Sequence, residues 1–187
     1  MNEQKRPRSR DWRIPFLGIS LLVIVLDRVT KIWVNKHVVP TTHIVIIPHV
    51  FSISHVLNPG AAFSLFTDSA DPHRTHLLLT GFSILASVVV FGVLMFLGRK
   101  FTMTGLALAL ILGGAVGNLW DRLAYKEVTD FIAVTIIHYH WPDFNLADSS
   151  IVIGGILLML DAIRNRKEHH GAAEDGAWTP EDSQPPE

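Results

Sequence analysis

The sequence predicts an all-α membrane protein, with four transmembrane helices and a small β-rich cradle on the extracytoplasmic side. Three observations carry this reading. Apolar residues gather into uncharged runs at Ile14–Leu26, Leu77–Gly98 and Phe101–Trp120, with a shorter run at Ser149–Leu160. A span needs about 20 mostly apolar residues at a rise of about 1.5 Å each. Basic residues cluster before the first run (Lys5, Arg6, Arg8, Arg10, Arg13), between the second and third (Arg99, Lys100) and after the fourth (Arg164, Arg166, Lys167). By the positive-inside rule both termini and the middle link are cytoplasmic. The two segments left outside carry strand-like patterns. A 49% hydrophobic share agrees with this, as does a mean hydropathy of +0.32.

At 187 residues the chain has room for one bundle. Residues 1–12 form a basic, mobile cytoplasmic N-terminus, 13–165 a single helical domain and 166–187 a disordered acidic tail, with disorder setting in from Asn165. The expected spans are 14–34, 75–98, 102–123 and 146–163, with outer loops at 35–74 and 124–145. The first span reaches full length only by running through Asp27, Arg28 and Lys31 to Val34. It is not a cleaved signal peptide, because no small-x-small site follows its apolar core. The fourth runs from Leu146 to Ile163 and admits Asp148 and Asp161 near its ends.

In the first outer loop, His43–Ile47 and Val50–Leu57 read as strands, the second ended by the turn Asn58-Pro59-Gly60. Asp68–His73 reads as a polar link into the second helix, and Val128–Ile137 as a strand in the second loop. The absence of cysteine excludes disulfides, thiolate catalysis and Cys-ligated zinc. His138 and His140 share a strand face near Asp143, but no fourth ligand is evident, so neither metal nor cofactor is expected. The basic N-terminus is accounted for by membrane orientation, and no nucleic-acid partner is expected.

The polar residues within this frame converge. Asp27 and Lys31, spaced i,i+4, end the first helix, and Asn58 lies in the outer loop. Asn118, Asp121 and Arg122 end the third helix, while Asn145 and Asp148 open the fourth. All fall at one membrane face, and ionisable residues at membrane depth are functional candidates. Asn118 and Arg122, at i,i+4, share a helix face; Asp121 is placed to orient the Arg122 guanidinium or to cap the helix end. Asn145 reads as an N-cap with Asp148 at N3, where the helix dipole favours an ionised acid able to act as base. Asp130 lies among Val128, Phe131 and Ile132, where desolvation favours a protonated acid. Two carboxylates made unequal by their surroundings are what water-mediated amide hydrolysis requires. Gly113, Gly114 and Gly117 form a close-packing pattern before Asn118.

Five motifs in order, LDRVTK, NPGAAF, GGAVGNLWDR, VTDFI and FNLADSSI, resemble those of the lipoprotein signal peptidase (signal peptidase II) family. These are aspartic peptidases of the bacterial inner membrane. The resemblance runs from Leu26 to Ile163. It implies that Asp130 and Asp148 are the catalytic pair, that Asn58, Asn118, Arg122 and Asn145 line the substrate site, and that Asp27, Lys31, Gly60 and Asp121 support it. It implies cleavage of prolipoprotein signal peptides before a diacylglyceryl-modified cysteine, by a monomer whose other partners are membrane lipids. Arg28 stands where the family more often has Gln, and the acidic tail carries no family motif. The alternative is a small transporter or channel subunit with the aspartates as ion or proton ligands. That function predicts polar residues near the midplane and repeated halves, and neither pattern is visible.

Overall fold

The structure is a computed structural model that describes residues 11–60 and 72–175, the side chains of Pro72 and of residues 167–175 excepted. Four helices, α1 (Arg13–His37), α2 (Pro72–Leu97), α3 (Met103–Tyr125) and α4 (Leu146–Asp175), form a bundle around α3, which packs against each of the others. Among the described residues three stretches, His73–Leu97, Met103–Tyr125 and Leu146–Arg166, are long and apolar enough to cross a membrane. Helix α1 is long enough but carries Asp27, Arg28 and Lys31 in its second half.

Packing against α3 depends on small residues, as expected where lipid supplies no hydrophobic drive between helices. A Cβ on Gly113 would stand 2.8 Å from the Ser20 carbonyl of α1, and one on Gly114 2.3 Å from the Ala147 carbonyl of α4. The outward faces stay apolar and exposed, through Leu21, Leu22 and Val25 on α1, Phe82, Leu85 and Val88 on α2, and Val152, Ile156 and Met159 on α4.

The strands β1 (His43–Ile47), β2 (Phe51–Asn58), β3 (Val128–Ile136) and β4 (Tyr139–His140) pair antiparallel in that order. The β2–β3 register shifts between Ile53 and Val56, turning Ser54 and His55 inward. His55 Nδ1 then meets the Val38 carbonyl at 2.6 Å and ties the strand to the end of α1. Beyond this bulge Val56 pairs with Asp130 and Asn58 with Val128, so Asn58 and Asp130 are diagonal neighbours on one face. Thr129 and Phe131 point the other way, where Thr129 meets Asn35 and Phe131 packs on Val34 and Val38.

Several boundaries differ from the sequence reading. Trp12 is packed rather than mobile, its ring 4.8 Å from that of Phe101. His73 lies inside α2, not in a link before it. β3 stops at Ile136 because Ile137 takes a left-handed φ of 59°, and the two-residue β4 had no pattern long enough to read. Helix α4 runs to Asp175, past the expected limit at 163 and into the tail expected to be disordered, because Ala162–Glu174 holds no proline and only Gly171 to interrupt it. The rest of that tail, residues 1–10 and residues 68–71 of the expected polar link lie outside the described residues.

Candidate active site

The site forms where α1, α3, α4, β2 and β3 meet at one end of the bundle. Phe144 is held to β3, its carbonyl accepting from the Phe131 and Ile132 N–H groups at 3.0 and 2.8 Å. This sets Asn145, the next residue and start of α4, beside Asp130. Asn145 then closes a reciprocal cap: its Oδ1 accepts from the Asp148 N–H at 2.9 Å, and its own N–H donates to Asp148 Oδ2 at 3.2 Å. The N-cap reading of the sequence is therefore the geometry observed.

The fully buried Asn145 also touches the other carboxylate, donating through Nδ2 to Asp130 Oδ1 at 2.7 Å. Asp130 Oδ2 accepts from Asn58 Nδ2 at 2.9 Å, and Asp148 Oδ1 accepts from Asn118 Nδ2 at 2.7 Å. Both aspartates thus bond to the same asparagine, and each has a second amide donor of its own. Asp130 is 3% exposed, and burial pushes its carboxyl up to about 7. The Asp148 charge adds to that rise, while the Asn58 and Asn145 hydrogen bonds and the Lys31 charge oppose it. Asp148 is less enclosed, so two adjacent carboxyls occupy unlike environments.

Beneath this pair lies a charged cluster. Lys31 Nζ sits 2.8 Å from Asp27 Oδ2, 2.8 Å from Asp121 Oδ2 and 3.1 Å from Asn118 Oδ1. Arg28 pairs with the other oxygen of Asp121 and lies over the Tyr125 ring, 5.4 Å from its centroid. Asp27 Oδ1 accepts from the Ala147 N–H at 3.0 Å, tying α1 to α4. Gly117 permits this approach, since a Cβ there would stand 3.0 Å from Asp27 Oδ2. At Gly60, φ is +112° and a Cβ would fall 2.1 Å from Leu79 Cδ1; its N–H donates to Asn58 Oδ1 at 2.9 Å and fixes that amide.

Nine of the ten residues singled out from the sequence enter this connected site or the turn that fixes it. The tenth, Arg122, turns toward α2: its Nη1 donates to Ser83 Oγ at 3.2 Å, with Asp148 and Asp130 among the charges acting on it. Of the two roles read for Asp121, orienting Arg122 or capping the helix end, the first is not what its contacts show: it pairs with Arg28 and Lys31. Adjacent helical residues point in different directions, so Asp121 faces Arg28 and Lys31 on α1 while Arg122 faces α2. Ser83 was missed. A hydroxyl inside an apolar helix was its only signal, and such a hydroxyl usually bonds its own backbone, as Ser83 Oγ also does to the Leu79 carbonyl at 2.8 Å. His140 lies apart from the site, its Nε2 3.0 Å from Asp143.

Fold and site together define a membrane protein with two buried or half-buried carboxylates joined through asparagine amides at one end of a helical bundle. The chain belongs to the signal peptidase (SPase) II family, peptidase A8, which matches over residues 19–164. It is 42% identical over 160 residues to the lipoprotein signal peptidase of Pseudomonas putida, covering 85% of this chain and 92% of that one. Against the lipoprotein signal peptidase of Pseudomonas aeruginosa it is 42% identical over 170 residues, covering 88% and 96%. Its fold is similar to a bacterial membrane enzyme solved by the in meso method at 2.3 Å. The TM-score is 0.76 at 25% identity, over 87% of this chain and 96% of that one. A second such structure, at 1.9 Å, gives a TM-score of 0.65 at 28% identity, over 81% and 95%.

Proposed function

We propose that this chain is an aspartic endopeptidase that removes signal peptides from prolipoproteins, cutting before the diacylglyceryl-modified cysteine. The observation that carries this reading is the single asparagine, Asn145, bonded to two carboxyls of unlike burial. Asp148 takes a proton from water as its oxygen attacks the scissile carbonyl, and Asp130 gives its proton to the carbonyl oxygen. Collapse of the tetrahedral intermediate returns that proton to Asp130, while the proton held by Asp148 passes to the leaving amine. Asn58 and Arg122 orient the substrate carbonyls, Arg122 by leaving Ser83.

The bilayer side of the reading has its own support. Helix α1 counts as a fourth span because Asp27 and Lys31 turn inward and neutralise one another, leaving Leu21, Leu22, Val25, Leu26 and Val29 toward lipid. The basic clusters set both termini in the cytoplasm and the site at the outer face of the bacterial inner membrane. The polar groups gather at one end of the bundle rather than at mid-depth, which disfavours a transporter. The protein acts as a monomer in contact with lipid. With cysteine absent from the chain, Thr42→Cys should react with an impermeant thiol reagent on intact cells and Lys100→Cys should not; the reverse pattern inverts the bundle.

Mass spectrometry of a lipid-modified precursor incubated with the purified protein in detergent tests the activity. A product beginning at the lipid-bearing cysteine is expected. Asp130→Asn and Asp148→Asn should each lower its formation by about 10²–10⁴-fold while the precursor still binds. Wild-type turnover in either variant removes that residue from the chemistry.

A further inference from the structure

The two carboxylates depend on asparagine amides, and an asparagine side chain presents either an acceptor or donors depending on a half-turn about its last bond. At Asn118 and Asn145 that choice is forced. Lys31 is fully buried and its ammonium has donors only, so the Asn118 atom 3.1 Å from it is the carbonyl oxygen. The NH₂ of Asn118 is then left facing Asp148 Oδ1 at 2.7 Å. Turning the amide over would set NH₂ against ammonium and oxygen against carboxylate, making both contacts repulsive at once. The same Asn118 oxygen receives Asn145 Nδ2 at 3.3 Å. That contact aims the second N–H of Asn145 at Asp130 Oδ1 and its oxygen at the Asp148 N–H.

We propose that Lys31 is a positioning residue for the carboxylate pair, setting the orientation of the Asn118 amide and through it that of Asn145, so that each aspartate is met by a side-chain N–H. The proposal rests on Asp130 and Asp148 being the reacting pair. A buried lysine is costly in such a place unless its charge is matched. Here Asp27 and Asp121 face Lys31 and Arg28, two charges of each sign, with Asp27 also fixed by the Ala147 N–H. Beyond this cluster, the Lys31 charge also acts on the Asp130 carboxyl. A merely structural Lys31 would hold α1 to α3 and leave the protonation of the aspartates alone.

The test is the double variant Asp27→Asn/Lys31→Met, which removes one charge of each sign and so leaves the net field nearly unchanged. Loss of an N–H donor destabilises an ionised carboxylate. The alkaline limb of the kcat/KM profile, set by Asp130, should therefore move to higher pH by about one unit. Misplaced carboxylates should also lower kcat about 10- to 100-fold, with KM for the precursor held within about twofold. A folded double variant with the wild-type pH profile overturns the proposal. Wild type and Asp148→Asn run in the same assay separate this from failure of the peptidase reading, which would show as no cleavage by wild type or full cleavage by the Asn variant. If the double variant does not fold, the unmutated protein decides. With ¹⁵N-asparagine labelling in micelles, the side-chain NH₂ protons of Asn118 and Asn145 should be protected from exchange with water. Free exchange or flipping of either amide refutes the proposal.

Discussion

The two ends of the bundle are held by opposite means. At one end the rings of Trp12, Phe16 and Phe101 pack together with centroids 4.8–6.1 Å apart, and Phe16 packs with Leu94, Leu108, Ala109 and Leu112. At the other, Asp27, Lys31, Asn118, Asp121, Asp130 and Asn145 are buried together and joined by hydrogen bonds and ion pairs. Apolar packing between helices needs no desolvation of charge and no exact angle. A buried polar network costs desolvation at every member and stabilises only when complete. Such a network does something packing cannot: it holds two carboxyls of unlike burial side by side, each met by amide donors.

Substitutions at the two ends should therefore fail in different ways. Outside the two aspartates, the largest effect on cleavage is expected from Asn145→Ala, which strips one donor from Asp130 and the side-chain acceptor from the Asp148 N–H. Cleavage per folded molecule should fall by about 10²-fold or more, with a loss of about 1–3 kcal/mol in stability from the unsatisfied partners. An Asn145→Ala protein that cleaves normally would make the network structural.

The opposite outcome is expected from Phe16→Ala. Removing a fully buried ring should cost about 3–5 kcal/mol of stability, yet cleavage per folded molecule should stay within about threefold of wild type. Thermal unfolding in detergent, paired with turnover normalised to folded protein, reads both quantities. A large loss of turnover at Phe16 would mean that the two ends are coupled.

How much of this was legible in the sequence follows the same division. The apolar runs gave four helices to within a few residues at most ends, because hydropathy is a sum over many side chains. The strands His43–Ile47 and Val128–Ile136 emerged from their β-branched content. Asp130, Asp148 and Asn145 stood out because polar residues flanking apolar runs are uncommon, and the capping pair followed from spacing alone. Contacts between distant elements were not legible. Nothing local says that Asp121 turns to Arg28 and Lys31 rather than to its neighbour Arg122, or that Arg122 meets Ser83. The β2 bulge that makes Asn58 a diagonal neighbour of Asp130 likewise depends on pairing across 72 residues.

The central claim is that one aspartate stays protonated because burial raises its pKa while its neighbour works as the base. The most direct measurement is kcat/KM for cleavage of a lipid-modified precursor as a function of pH, which reports groups of the free enzyme. Asp130 must hold its proton to act as the acid, and its carboxyl is pushed up to about 7. Cleavage should therefore fall as pH rises through about 7, where Asp130 loses its proton. A profile that is flat or still climbing between about pH 6 and 8.5 would contradict the account.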